Sequence, residues 1–180
     1  MPVLRTATDD DAKPLAQLAE ATFRDTFAAV NSAANMDAHC RARYGEARQA
    51  LEIADASMHS FVAEHDGALV AYAQLRFGPA PDCVRAVHPG EILRLYVHRD
   101  WHGRGLAQRL MDASLAALRE RGADVAWLGV WEHNARAIAF YRKFGFTEVG
   151  DHVFPVGNDP QRDLVMVKSL ATDGKNSTEE

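Results

Sequence analysis

Two glycines, in the run His102-Gly103-Arg104-Gly105-Leu106-Ala107, stand between a strand-like segment, Glu91 to Val97, and a strong helical pattern. Such a junction points free backbone N–H groups and the positive end of a helix at one place, which suits an anion. Glycine lets a phosphate approach the backbone, where a side chain would hold it off. A tight strand-to-helix turn is the alternative. Farther on, Asn134 and Tyr141 lie seven residues apart. On a helix that is two turns and about 10.5 Å of rise along one stripe. Ile138 falls between them, so one face offers an amide, an apolar middle and a phenol. Without a ligand, Asn134 reads as a helix cap and Tyr141 as a core aromatic.

These groups need a scaffold, and hydrophobic periodicity supplies one. Val3 to Ala7 reads as a strand, 11–28 as a helix, and Met36 to Ala54 as one or two short helices. Ser60 to Glu64 and Leu69 to Phe77 form a hairpin around His65-Asp66-Gly67. Gly78 to Pro89 is a loop, and Glu91 to Val97 the next strand. Gly103 to Arg121 is a helix stopped by Gly122, and Val125 to Val130 is an apolar interior strand. Asn134 to Phe144 is helical, and Phe146 to Asp151 and Asp163 to Val167 close the order around a loop at Gly157 and Pro160. The result is a mixed α/β sheet. Residues 1–170 read as a single domain, and 171–180 as a polar tail.

Composition narrows the class. At 180 residues, 47% hydrophobic and 25% charged, the chain resembles an ordinary soluble domain. A formal charge of −5 argues against a nucleic-acid partner. Cys40 and Cys83 are too few for a disulfide framework, and no apolar run suggests a membrane span, so the cytoplasm is the expected compartment. No H-E-x-x-H or similar spacing exists, and no metal is expected. A dinucleotide site would want a third glycine after Gly105, and a nucleotide-hydrolase loop a G-K-[ST] ending; both are missing.

The glycine run resembles the pyrophosphate loop [Q/R]-x-x-G-x-[G/A] of GNAT acetyltransferases, matching at Gly105 and Ala107 and departing at His102. Asn134-Ala135-Arg136-Ala137-Ile138-Ala139-Phe140-Tyr141-Arg142-Lys143-Phe144-Gly145-Phe146 matches the family's N-x-x-A-x-x-F/L-Y-x-x-x-G-F at every named position. The resemblance implies a mostly antiparallel sheet of six to seven strands with splayed central strands, about four helices, and acetyl-CoA as cosubstrate. It also implies cofactor contacts from the backbone of Leu95, Tyr96 and Val97, from His102, Gly103, Arg104, Gly105, Leu106 and Ala107, and from Asn134, Ile138 and Tyr141. Phe23-Arg24-Asp25-Thr26-Phe27, Trp127 to Glu132 and Gly150-x-His152-x-Phe154 are similar to PaiA-type polyamine acetyltransferases, which implies spermidine or spermine as acceptor. A protein, peptide or antibiotic amine is the alternative acceptor, and a non-catalytic acyl-CoA sensor the alternative class. A homodimer is common among relatives.

Amine acetylation sets its own demands. A primary amine of pKa near 10.4 costs about 4.6 kcal/mol to present unprotonated at pH 7. Glu91, at the head of its strand, is the expected base; Tyr141 is the expected acid for the departing thiolate. Asp25 and Asp37, with Glu20, Glu91 and Glu132, are candidate carboxylates for a polyamine. Arg94, Tyr96 and Trp131 are candidate acceptor-side walls. Of the histidines, His98, His102 and His133 flank the site; His39, His59, His65, His88 and His152 are expected to be ordinary.

Overall fold

The computed structural model describes residues 1–170; the expected polar tail lies outside the described residues. Seven strands form one sheet in the order β1-β2-β3-β4-β5-β7-β6. They are β1 Val3–Thr6, β2 Met58–His65, β3 Ala68–Phe77, β4 Pro89–Val97, β5 Val125–Trp131, β6 Thr147–Val156 and β7 Asp159–Ser169. Five helices accompany them: α1 Ala12–Phe27, α2 Ala33–Arg43, α3 Glu46–Ala54, α4 Leu106–Glu120 and α5 Ala135–Lys143. The segment expected as one or two helices is two. Ser32 caps α2 by accepting from the Asn35 N–H at 3.2 Å, and the Tyr44-Gly45 break separates α3. The fifth helix exceeds the expected four for that reason.

Both sheet faces are covered. Leu15, Leu18 and Phe23 of α1, with Met36 and Cys40 of α2, bury against Val62 and Tyr72. On the opposite face Met111, Leu115 and Leu118 of α4 pack on Leu75, Ile92 and Leu128, joined by Ile138 of α5. The closing hairpin is longer than expected, because a two-residue turn at Gly157-Asn158 lets β6 and β7 pair from Val156↔Asp159 back to Thr147↔Val167. Pro155 is tolerated because β6 is an edge strand.

β4 carries the feature that shapes the rest. It pairs with β3 antiparallel along its length, but Gln74 faces Arg94 while Leu75 faces Ile92, so Leu93 is an extra, bulged residue. A bulge shifts the alternation of side chains by one. Ile92, Leu95 and Val97 therefore face α4, while Glu91, Arg94 and Tyr96 share the other face. β4 and β5 are the sheet's one parallel pair, and they are paired only over Pro89↔Val125, Gly90↔Ala126 and Glu91↔Trp127. Beyond that point β4 follows β3 and β5 follows β7, and the two half-sheets twist apart.

Arg94 is anchored rather than free. Its Nη1 donates to Glu52 Oε2 and to Gln74 Oε1, each at 2.6 Å, and its guanidinium lies 5.3 Å from the Tyr44 ring centre. Gln49 and Ser60 complete this buried polar cluster through Gln74. It ties α3 to the strands under the bulge. Removing one partner of a buried pair strands the other charge. Glu52→Ala should lower stability by about 3 kcal/mol in denaturant unfolding, whereas the joint change Glu52→Leu with Arg94→Met should recover most of that loss.

Candidate active site

The parting of β4 and β5 opens a cleft of about 820 Å³ that runs from one sheet face to the other. Its floor is the last paired residues, Glu91 and Trp127; its walls are Ile92 to Val97 on one side and Gly129, Val130 and Trp131 on the other. From Ile92 onward the β4 edge facing β5 has no strand partner. Backbone donors and acceptors along that edge are available to a ligand with amides of its own.

At one mouth lies the glycine loop. Gly103 and Gly105 have φ of 74° and 76°, left-handed values that β-carbons resist. No atom lies within 4 Å of where a Cβ would sit on either. The expected helix from Gly103 thus starts only at Leu106, after Gly105 as its cap residue, and its first N–H groups face the cleft. His102 departs from the usual Gln or Arg and uses its ring. Nε2 donates to the Val97 carbonyl at 2.8 Å, and Nδ1 lies 3.1 Å from Arg136 Nη1. This bridge sets a guanidinium from α5 beside the loop, so the mouth is a ready anion site.

On α5, Asn134 caps the helix by accepting from the Ala137 N–H at 3.1 Å, which leaves its amide N–H2 for the cleft. Tyr141 lines the cleft, packed against Phe140 and Phe146. Burial pushes its phenol up to about 12, so it is a neutral donor at neutral pH. At the floor, Glu91 Oε2 accepts from Arg76 Nε at 2.7 Å and contacts Nη2 at 2.6 Å. Burial pushes the Glu91 carboxyl upward, and Arg76 offsets part of that rise.

Residues 16–146 match the model of the Acetyltransferase (GNAT) family. The chain belongs to this family. It is 32% identical over 165 residues, covering 91% of this chain and 94% of the other, to an uncharacterised N-acetyltransferase of Lactobacillus delbrueckii. Its fold is similar to that of PaiA N-acetyltransferase from Thermoplasma acidophilum, solved in complex with coenzyme A. The TM-score is 0.75 at 19% identity, over 94% of this chain and 99% of that one. A ribosomal-protein-alanine N-acetyltransferase from Brucella melitensis matches with a TM-score of 0.66 at 25% identity, over 93% and 99% of the two chains. This GNAT enzyme uses acetyl-CoA as cosubstrate.

Of the residues expected at the acetyltransferase site, Glu91, Arg94, Leu95, Tyr96, Val97, His102, Gly103, Gly105, Leu106, Ala107, Asn134, Tyr141, Asp25 and Trp131 line the cleft. Three do not. Arg104 turns outward onto Trp101, its guanidinium 5.0 Å from the ring centre. Ile138 is buried in the core beneath α4, and Ala137 and Phe140 form the apolar wall instead. Asp37 is tied to Arg24 at 2.8 Å, which also holds Glu20 at 2.9 Å; Glu132 is held by Arg162 at 2.9 Å.

Sequence reasoning missed Arg76, Arg136, His152 and Asp163, all on the cleft wall. Reading Gly157-Asn158 as a two-residue turn would have placed His152 opposite Asp163. Burial does most to hold His39, stacked 4.2 Å from Phe23, down to about 4, so it is a neutral wall residue.

If the loop binds the diphosphate, a carboxylate there is repelled from the anion. Gly105→Glu should weaken CoA binding at least about tenfold by calorimetry. Gly105→Ala, which shares the backbone strain of about 1 kcal/mol, serves as the control. Equal affinities for the two variants would count against the loop.

Proposed function

We propose that this enzyme acetylates a primary amine of a small, elongated molecule, with a polyamine such as spermidine or spermine as its acceptor, by direct attack on acetyl-CoA. The observation that carries the reading is the acceptor-side wall. Two carboxylates, Glu91 and Asp163, stand at the inner part of the cleft, and Asp25 stands on its α1 side. Phe23, Phe27, Trp131 and Phe154 on the same cleft supply an apolar lining suited to methylene chains. A polyamine carries both cationic and alkyl groups, and this lining offers carboxylates and apolar rings to match.

In this reading the diphosphate rests on the α4 amino end, and the pantetheine arm bonds to the open edge of β4. The acceptor ammonium loses a proton to Glu91, whose Oε1 is not engaged by Arg76. The free amine forms its N–C bond at the thioester carbonyl. Main-chain N–H groups of β4 near Leu95 to Val97 stabilise the oxyanion. The C–S bond then breaks as Tyr141 donates to the departing sulfur, and the new amide nitrogen gives up one of its two protons, which restores the Tyr141 phenol, and keeps the other. A buried thiolate is itself more basic than in water, which narrows its gap to the raised Tyr141 phenol.

A second reading has a specific observation behind it. Arg43 lines the same cleft and makes no ion pair among the described residues, so it favours an acceptor bearing a carboxylate, such as an acidic peptide amino terminus. The Brucella relative's name points to a peptide amine as well.

Thiol release from acetyl-CoA with spermidine, spermine, an aminoglycoside and an acidic alanine-initiated peptide separates these acceptors. Tyr141→Phe should lower kcat about 100-fold or more with CoA affinity within about twofold; an unchanged kcat refutes the acid role. Arg43→Glu should lower KM for spermidine several-fold and raise it for the acidic peptide. A lower KM for the peptide than for spermidine in the unaltered enzyme, or no turnover of spermidine, would contradict the polyamine assignment.

A further inference from the structure

Acetyl transfer to an ammonium releases one proton to bulk water: R–NH3⁺ and acetyl-CoA give the amide, CoA thiol and H⁺. The inner end of the cleft makes that release a problem. Glu91 is 6% exposed, and one of its oxygens is pinned by Arg76. A buried carboxylate that has taken a proton must pass it on before the next turnover.

A histidine stands on the way out. His152 of β6 and Asp163 of β7 are directly opposite in register, so their side chains share a face, and Nε2 lies 3.9 Å from Asp163 Oδ2. On β5, Trp131 is the register partner of Asp163, and Gly129 lies two residues along the same face. A Cβ there would come within 2.8 Å of His152 Nε2 and 3.3 Å of Asp163 Oδ2. The pair therefore rests over Gly129, and a side chain there would have to push the His152 ring aside. Trp127 bridges toward Glu91. It is the register partner of Glu91 across β4 and β5, and its ring meets the His152 ring edge-on at 6.4 Å between centres. The His152 side chain is 32% exposed, and Glu91, Trp127, Gly129, His152 and Asp163 all line the one cleft.

We propose that His152, oriented by Asp163, receives through water the proton that Glu91 takes from the acceptor and delivers it to solvent. The inference rests on Glu91 serving as the base in the proposed acetyl transfer. His152 gains a proton as Glu91 loses one, then loses it to bulk water; no other bond changes. The charged groups around it agree with that task. Asp163 from β7, Glu91 from β4 and Asp151 on its own strand all favour its protonated form. Arg76 balances Glu91, and Arg162 balances Asp151 and also holds Glu132. The Cys83 thiol packs against Gly150, one step along the same strand face. Contact with Asp163 does most to lift the imidazole above its ordinary value, against the pull of partial burial. Such a group holds a proton near neutrality and still releases it.

Two measurements on the full chain test this. In an NMR titration of the free enzyme, His152 should titrate above the usual imidazole range, and Asp163→Asn and Glu91→Gln should each lower its pKa. In kinetics with whichever panel amine turns over fastest, the acidic limb of kcat should follow the same ionisation. Asp163→Asn should move that limb to lower pH, since the group stays unprotonated further down, and His152→Gln should abolish it with at least about a tenfold lower kcat. Added imidazole-type buffer should restore part of the His152→Gln loss and leave the wild type unchanged. A His152 pKa indifferent to Glu91→Gln, or a His152→Gln variant with an unmoved acidic limb, overturns the relay. If no amine is acetylated, the proposed function fails, and the NMR coupling alone still decides whether the two groups communicate.

Discussion

Everything in this molecule follows from three residue pairs. β4 and β5 zip together over Pro89–Glu91 and Val125–Trp127 and then part. In the middle of a sheet, unpaired backbone N–H and C=O groups are costly unless something satisfies them. A ligand that carries amides along an extended arm meets that need. The Leu93 bulge sits just past the zipped segment. It lets β4 twist away with β3 and sets Glu91, Arg94 and Tyr96 on one face. The same parting gives α4 and α5 their tasks. α4 begins at the open end, and α5 lays Asn134 and Tyr141 along the gap. An unbulged β4, paired with β5 throughout, would close the gap and remove the site while keeping most of the core.

The sequence revealed some parts of this more readily than others. The glycine loop was legible because only glycine accepts the backbone angles that Gly103 and Gly105 adopt. The same reason displaced the helix start to Leu106, which periodicity alone overlooks. The Asn134–Tyr141 stripe was legible from spacing, but its width was misjudged. At about 100° per residue, Ile138 lies on one side of that line and Ala137 and Phe140 on the other. The cleft took the second side and the core took Ile138. Arg104 was read as a loop residue by position, yet a side chain between two left-handed glycines points wherever packing allows, and Trp101 captured it.

Charges were the least legible. A net count cannot say which carboxylates are already spoken for. Arg24 occupies Glu20 and Asp37, Arg162 occupies Glu132 and Asp151, and Glu52 is buried beneath Arg94. Apart from the i,i+4 pair of Glu20 with Arg24, these pairs depend on how separate elements meet, as does the meeting of His152 with Asp163 across the β6–β7 hairpin. What remains on the cleft wall is a small set: a cationic mouth near the loop, Asp25 and Arg43 on the helical side, and Glu91, Asp163 and His152 at the inner end. That polarity, anion-binding at one end and proton-accepting at the other, suits a phosphate-bearing acyl donor entering from one face and an amine from the other.

The most direct measurement of the central claim is a crystal structure of the chain with CoA. The pantetheine arm should thread between β4 and β5. Its amides should bond to the β4 edge beyond Glu91, its diphosphate should lie on the N–H groups at Gly105 to Ala107, and its sulfur should be within hydrogen-bond reach of the Tyr141 hydroxyl. CoA bound elsewhere, or strands zipped past Glu91 and Trp127 with CoA present, would contradict it.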